Sequence, residues 1–284
     1  MYIYNVKHFT KLFKKIFFSK SLANKFNKNF FIKMVYVPKT SHAFCYTIIR
    51  KIIKEIFMAS NRIDRLNNVF VAGVTGSGKT NFLQRLLCDY LLENSLLEFK
   101  IAIVDEKGVD YNIYENLSVL YNEICTNLQS TKNLLSKILL ELEQRKQAFN
   151  KVGAKDILEY NEITASGKLF SLVVFIDEIA DLTSDKSCIK LFKQIIKDSF
   201  LFGIYFVVCT QQPSLLKNEL QYFKYKVACR LISNKDSLLV IGDSGALKLQ
   251  QGQTLVVNDK TITPQMVLVK YFSLSEQMDI IKFL

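Results

Sequence analysis

A chain of 284 residues with 49% apolar and 23% charged residues has the composition of a globular protein, which excludes a disordered or collagen-like chain. Its net charge of +12 is concentrated in residues 1–60, which contain 12 lysines and arginines and one acidic residue, so the remaining residues carry only +1. Two histidines are too few for a zinc site or a histidine-based catalytic triad, and six dispersed cysteines indicate free thiols in a reducing compartment.

Residues 1–60 are predicted to form a basic, amphipathic helical arm. Apolar residues recur at helical spacing between lysines, first over residues 9–17 and again over residues 48–57. A basic arm on a neutral body indicates a polyanionic partner, either nucleic acid or an anionic membrane surface. An arm that serves only solubility is the alternative, and Met34 and Met58 are alternative start sites.

No signal peptide or transmembrane helix is predicted. Lysines interrupt the N-terminal segment every few residues, and the longest uncharged stretch, residues 199–216, contains a polar loop. We therefore expect a cytoplasmic protein, with membrane contact, if any, through residues 1–60.

Residues 61–284 are predicted to form one α/β domain with a mostly parallel central sheet flanked by helices, because apolar runs alternate with longer helical segments. The predicted strands cover residues 69–72, 100–104, 172–176, 204–209 and 227–232, with residues 254–257 as a possible sixth. The predicted helices cover residues 79–93, 131–150 and 188–200.

The first predicted strand and helix are joined by a GxxxxGK[ST] sequence, the Walker A pattern of a phosphate-binding loop. Its glycines let backbone N–H groups face the phosphates, and the helix N-terminus adds its dipole. We expect Lys79 to contact the β- and γ-phosphates of ATP as a catalytic group and the Thr80 hydroxyl to bind Mg²⁺. The residues expected to bind the nucleotide are Gly73, Val74, Thr75, Gly76, Ser77, Gly78, Lys79, Thr80 and Asn81.

Two acidic residues, Asp177 and Glu178, directly follow the apolar third strand, which is the Walker B pattern. Asp177 is expected to hold Mg²⁺, and Glu178 to orient and polarise the attacking water as a catalytic residue. A favourable start of the next helix is the weaker alternative for Glu178. The fourth strand leads into residues 210–213, TQQP, where Gln211 is a candidate catalytic sensor of the γ-phosphate or water, or part of a simple turn.

The order of these motifs resembles the motor domain of the FtsK/SpoIIIE family of DNA-pumping ATPases, over about residues 68–257. Residues 105–107, Asp-Glu-Lys, are similar to the family's Asp-Pro-Lys element, and residues 176–182 closely resemble its Walker B segment. Further similarities lie in residues 141–145, in Gly153, in residues 160–162, and in residues 233–237 with 242–252.

The resemblance implies a RecA-like P-loop NTPase that assembles into a ring, usually a hexamer, around double-stranded DNA. Each ATP site would lie between subunits and be completed by a neighbour's arginine finger. Arg230, predicted within the fifth strand, is the nearest candidate for this catalytic arginine. The family's TQRP is TQQP here, and an expected arginine is Lys226, which cannot form arginine's bidentate fork.

These patterns predict an ATP-dependent double-stranded DNA translocase with ATP and Mg²⁺ as cofactors. We expect neither the membrane anchor nor the winged-helix domain of the family's cell-division members, and therefore a motor of a plasmid, conjugative element or phage. Two alternatives remain open: a conjugative coupling or helicase-like ATPase acting on single-stranded DNA, and a nucleotide-binding scaffold subunit without motor activity.

Overall fold

The computed structural model describes residues 66–94, 98–164, 167–259 and 261–284. The predicted arm of residues 1–60 therefore lies outside the described residues. Among the described helices, none is both long enough and apolar enough to cross a membrane. The five cysteines of the described ranges are free and buried.

A seven-stranded sheet with the order β2-β3-β4-β1-β5-β6-β7 forms the centre of the domain. β1 to β5 pair in parallel, and β6 and β7 add an antiparallel hairpin at the β5 edge. The predicted mostly parallel α/β sheet is thus confirmed. The strands are β1 (Val69–Ala72), β2 (Phe99–Val104), β3 (Ser171–Ile176), β4 (Ile204–Thr210), β5 (Tyr225–Ala228), β6 (Gln253–Asn258) and β7 (Thr261–Leu268).

Helices cover both faces of this sheet. Phe70 and Ala72 of β1 are buried in one core cluster with side chains of α2, α4 and α5, whereas Val69 and Val71 are equally buried and, at a period of two, point to the opposite face. α1 contributes buried leucines outside that cluster. The helices are α1 (Lys79–Glu93), α2 (Leu128–Val152), α3 (Ile157–Ile163), α4 (Lys186–Ile195), α5 (Asn234–Ile241) and α6 (Leu274–Phe283).

Local caps explain where the predicted helices differ from the observed ones. α2 begins three residues earlier than predicted because Asn127 and Ser130 form a capping box, and it ends at Gly153, whose φ is 73°. α4 begins after Asp185, whose carboxylate accepts a hydrogen bond from the Ser187 N–H. The prediction that this helix reaches residue 200 is wrong, since the chain turns after Ile195 to enter β4.

The predicted fifth strand over residues 227–232 is also wrong at both ends. β5 pairs with β6 from Tyr225 to Ala228 and ends there, and the following residues bond elsewhere. The Cys229 N–H donates to the carbonyl of Ala72, and the Arg230 carbonyl accepts from the Val74 N–H at 2.9 Å. Arg230 therefore lies beyond the strand, beside the phosphate-binding loop.

Candidate active site

The motifs meet at one edge of the sheet because β4 lies between β1 and β3. The phosphate-binding loop follows β1, Asp177 and Glu178 follow β3, and Gln211 follows β4. In a parallel sheet these carboxyl ends lie side by side, which is where open α/β sheets bind ligands.

Glycine conformation shapes the phosphate-binding loop. Gly76 and Gly78 have φ values of 73° and 98°, the left-handed region that side chains disfavour. Gly73 is required for close approach, since a Cβ there would lie 2.6 Å from Ser77 Oγ and 2.7 Å from Cys229 Cβ. The loop is also anchored through the Gly73 N–H, which donates to the carbonyl of Thr210 at 3.2 Å.

Lys79 and Thr80 form the first turn of α1 and face the same cleft. The Lys79 ammonium donates to the carbonyl of Val74 at 3.1 Å, so its charge is held over the loop. The Thr80 hydroxyl donates to Asp177 Oδ1 at 3.2 Å. A hydroxyl and a carboxylate oxygen held this close are hard donors that suit Mg²⁺, and Thr80 and Asp177 would hold the ion.

Asp177 is almost fully buried and its pKa is raised from 3.8 to about 6. Burial is the largest cause, because it penalises the charged carboxylate. The ammonium of Lys107, 3.9 Å from Asp177 Oδ2, lowers the pKa, and the neighbouring carboxylates of Asp110 and Asp105 raise it. A bound cation would supply the positive charge that favours the ionised form of Asp177.

Glu178 is held by backbone donors at the end of β4. Its carboxylate accepts from the Gln211 N–H at 3.1 and 3.3 Å and from the Ala180 N–H at 3.2 Å. The side chain of Gln211 in turn accepts from the Thr75 hydroxyl at 2.8 Å. Gln211 therefore connects the phosphate-binding loop to Glu178, the residue predicted to orient water.

A single cleft brings most of the predicted residues together. Its lining includes Thr75, Gly76, Gly78, Lys79, Thr80, Asn81, Asp177, Glu178 and Gln211. Gly73, Val74 and Ser77 support the loop from behind rather than lining the cleft. Arg230 is exposed and does not line it.

Asn81 borders the cleft, but its amide binds the C-terminal segment. Asn81 Nδ2 donates to the carbonyl of Lys270 at 3.1 Å, and Oδ1 accepts from the Phe272 N–H at 2.7 Å. In this structure the side chain of Asn81 thus fastens the approach to α6, while the residue also lines the cleft.

Sequence reasoning missed Asp110, Tyr111 and Gln251. The Tyr111 hydroxyl donates to Asp177 Oδ1 at 3.3 Å, and Gln251 lines the cleft beside the loop. Asp110 follows β2 at the same sheet edge, so the rule that found Asp177, an acidic residue shortly after a buried strand, could have found it. Tyr111 and Gln251 carry no comparable signal.

The sequence profile of the FtsK/SpoIIIE family matches residues 36–215. The DNA translocase FtsK of Staphylococcus aureus (strain Mu50) is 28% identical over 239 residues, which is 78% of this chain and 30% of that protein. The DNA translocase FtsK of Chlorobaculum tepidum is 28% identical over 235 residues, 76% of this chain and 29% of that protein. The chain thus spans about a third of the length of these relatives.

Solved structures share the fold at lower identity. The conjugation coupling protein TcpA of pCW3, in its monomer form with ATPγS, superposes with a TM-score of 0.66 at 23% identity, over 78% of this chain and 66% of that one. The type VII secretion ATPase EccC of Thermomonospora curvata gives 0.65 at 20% identity, over 76% and 28% of the chains. These likenesses show a P-loop ATPase fold, and the profile match over most of the chain identifies it as a member of the FtsK/SpoIIIE family.

Proposed function

We propose that this chain is an ATP-driven motor that translocates double-stranded DNA. The observation that carries the proposal is the meeting of Lys79, Thr80, Asp177 and Glu178 in one cleft of an FtsK/SpoIIIE family member. Its relatives are named DNA translocases, which supports DNA as the partner.

The groups of the cleft have different roles in ATP hydrolysis. Backbone N–H groups of the loop and the ammonium of Lys79 bind and orient the phosphates. Mg²⁺, when bound with the nucleotide, neutralises phosphate charge. Glu178 orients the attacking water, for which its carboxylate has to leave at least one of the backbone donors that hold it now.

Gln211 is proposed as the sensor of the bound nucleotide. Its side chain is exposed and bonded to Thr75, a loop residue that lines the cleft. A γ-phosphate that engages Thr75 or its neighbours would compete for this hydrogen bond. When the Gln211 side chain leaves Thr75, the Gln211 backbone can move, and this movement would alter the hydrogen bond from its N–H to Glu178.

We further propose a ring of subunits, of which a hexamer is the expected form, with ATP sites between them. Arg230 is exposed beside the loop and outside the cleft of its own chain, which suits a residue that acts on a neighbour's nucleotide. Arg230→Ala should then abolish hydrolysis while leaving nucleotide binding intact. Mixing it with Lys79→Ala subunits should restore part of the activity, because an Arg230→Ala subunit keeps its own Lys79 and receives Arg230 from a Lys79→Ala neighbour.

The arm of residues 1–60 is proposed to bind a polyanion, either the DNA or an anionic membrane surface, in a motor that works in the cytoplasm. Its net charge, +11 of the chain's +12, supports this role. Affinity for DNA that falls steeply with salt in the full chain, and much less steeply when the arm's lysines are replaced by glutamine, would support DNA as its partner.

Steady-state ATP hydrolysis by the wild-type chain and by Glu178→Gln tests the proposed function. Each protein is assayed without DNA, with linear duplex and with single-stranded DNA. Stimulation by duplex that is lost in Glu178→Gln is the expected result. Stronger stimulation by single strands would favour a coupling or helicase-like ATPase, and a slow rate indifferent to DNA and to the substitution would contradict a motor.

A further inference from the structure

Three aspartates outside the phosphate-binding loop converge at the carboxyl ends of β2 and β3. Asp105, Asp110 and Asp177 each offer one carboxylate oxygen, and these three oxygens lie within 4.8 Å of one another. The pairing of Val104 with Ile176 brings the ends of the two strands together, so the cluster is built by the sheet.

Among the described residues, one ion pair joins this cluster to a cationic side chain. The ammonium of Lys107 lies 3.9 Å from Asp177 Oδ2, and the Lys107 side chain is 56% exposed, so water screens much of its charge. Three close carboxylates with one solvated counter-charge are electrostatically unfavourable without a further cation.

One carboxylate oxygen of Asp105 has no hydrogen-bond donor among the described residues. Asp105 is 1% exposed; its Oδ2 accepts from the Asp110 N–H at 3.0 Å, but its Oδ1 is buried without a hydrogen-bond partner. Leaving a buried carboxylate oxygen unpaired is costly. A cation bound by Asp105 would give this carboxylate a positive partner that the described residues do not provide.

We propose that Asp105, Asp110 and Asp177 form a binding site for one divalent cation, and that this site fills in the absence of nucleotide. Oxygen-only carboxylate ligands favour hard cations such as Mg²⁺ and Mn²⁺. Oxygens on opposite sides of Mg²⁺ are about 4.2 Å apart and adjacent ones about 3 Å apart, so the three side chains move inward when they bind the ion directly. The site extends the proposed ATPase site, because Asp177 belongs to both.

The loop that carries Asp110 is held in place for this role. Gln84 of α1 donates from Nε2 to the Asp110 carbonyl at 2.8 Å, and Gln84 Oε1 accepts from Gln277 of α6 at 3.0 Å. The buried hydroxyl of Tyr111 donates to Asp177 from the same loop. The third carboxylate is thus positioned by the helix that begins at the phosphate-binding loop.

Binding of Mn²⁺ to the nucleotide-free full chain, followed by electron paramagnetic resonance, tests this site. The wild-type chain should bind one Mn²⁺, and Asp110→Asn should weaken that binding at least tenfold. Asp198→Asn is the matched control, since it removes the same charge from a surface pair with Lys146, shortly before β4 begins and far from its carboxyl end. Asp105→Asn is a second variant, and circular dichroism and thermal melting establish that each variant is folded.

Unchanged affinity in both folded cluster variants would overturn the proposal, as would the absence of Mn²⁺ binding by the wild-type chain at millimolar concentration. Equal weakening by Asp110→Asn and Asp198→Asn would also overturn it, because that pattern describes a general attraction to negative charge. The measurement contains neither nucleotide nor DNA, so its failure is separate from failure of the proposed motor function.

Discussion

The two sides of the candidate site are built in different ways. The loop side consists of contiguous residues, 73–80, whose geometry comes from glycine φ values and one close backbone approach. The acidic side collects Asp105, Asp110 and Asp177 from two segments that only the β2–β3 pairing brings together. The geometry of a contiguous motif is therefore determined by its own residues, whereas the geometry of a dispersed site depends on the order of strands in the sheet.

The largest expected effect separates nucleotide binding from hydrolysis. Glu178→Gln should lower the rate of ATP hydrolysis by about 10²-fold or more while nucleotide affinity is retained, because a positioned base contributes to the reaction and not to phosphate binding. Lys79→Ala should weaken nucleotide affinity about 10- to 100-fold, since it removes a charged hydrogen-bond donor. Fluorescent-nucleotide titration measures the affinity, and steady-state kinetics measures the rate. An equal loss of nucleotide affinity in the two variants would contradict separate roles in binding and hydrolysis.

The acidic side should give the protein a pH-dependent stability. Because the pKa of Asp177 is raised from 3.8 to about 6, the folded chain binds more protons than the unfolded chain between about pH 4 and 6, and stability falls as pH rises through that window. The loss is at most about 3 kcal/mol.

Asp177→Asn should flatten this slope, and Asp198→Asn, at a surface ion pair, should keep it. Urea unfolding at pH 4.5 and pH 7, in metal-free buffer without nucleotide, measures the difference. The same slope in wild type and Asp177→Asn would show that another group is responsible.

The loop side should respond to added volume. Gly73→Ala should cost about 1 to 3 kcal/mol, because its Cβ would overlap Ser77 Oγ and Cys229 Cβ. Gly76→Ala is the matched variant, since nothing lies within 4 Å of its Cβ and only its φ of 73° opposes a side chain, at about 1 kcal/mol. Thermal unfolding without nucleotide compares them, and a milder effect at Gly73 than at Gly76 would argue against close packing behind the loop.

The smallest expected effect concerns the residue that joins the two sides. Gln84 is bonded both to the Asp110 carbonyl and to Gln277, so Gln84→Ala should cost about 1 kcal/mol. Gln129→Ala, which removes an exposed bond to Asn133 on α2, should change stability by less than about 0.5 kcal/mol. Urea unfolding measures the stability of both variants. Equal losses of stability would contradict a positioning role for Gln84.

Sequence patterns predicted the part of the fold that local chemistry determines. The bounds of β1 and α1 agree with prediction because the motif between them carries its own start and stop signals. β7, α3, α5 and α6 were not predicted. β5 was misplaced because the chain beyond Ala228 bonds to the loop and to Ala246 instead of continuing the strand. Apolar periodicity does not predict such tertiary hydrogen bonds.

The same division holds within the site. Asp177 and Glu178 were found because they directly follow a buried strand. Asp110 and Tyr111 instead approach Asp177 from a loop that is bonded to Gln84 and Asp105. Asn81 lines the cleft as its motif predicts, and its amide is also bonded to the backbone of Lys270 and Phe272, nearly 200 residues away in the chain. The spacing of residues within a motif does not predict hydrogen-bond partners so distant in the chain.

Displacement of a triplex-forming strand from duplex DNA tests the central claim most directly. The wild-type chain should displace the third strand when ATP is present, and Glu178→Gln, although it binds nucleotide, should not. ATP hydrolysis by the wild-type chain on the same duplex without any displacement would contradict a DNA-translocating motor.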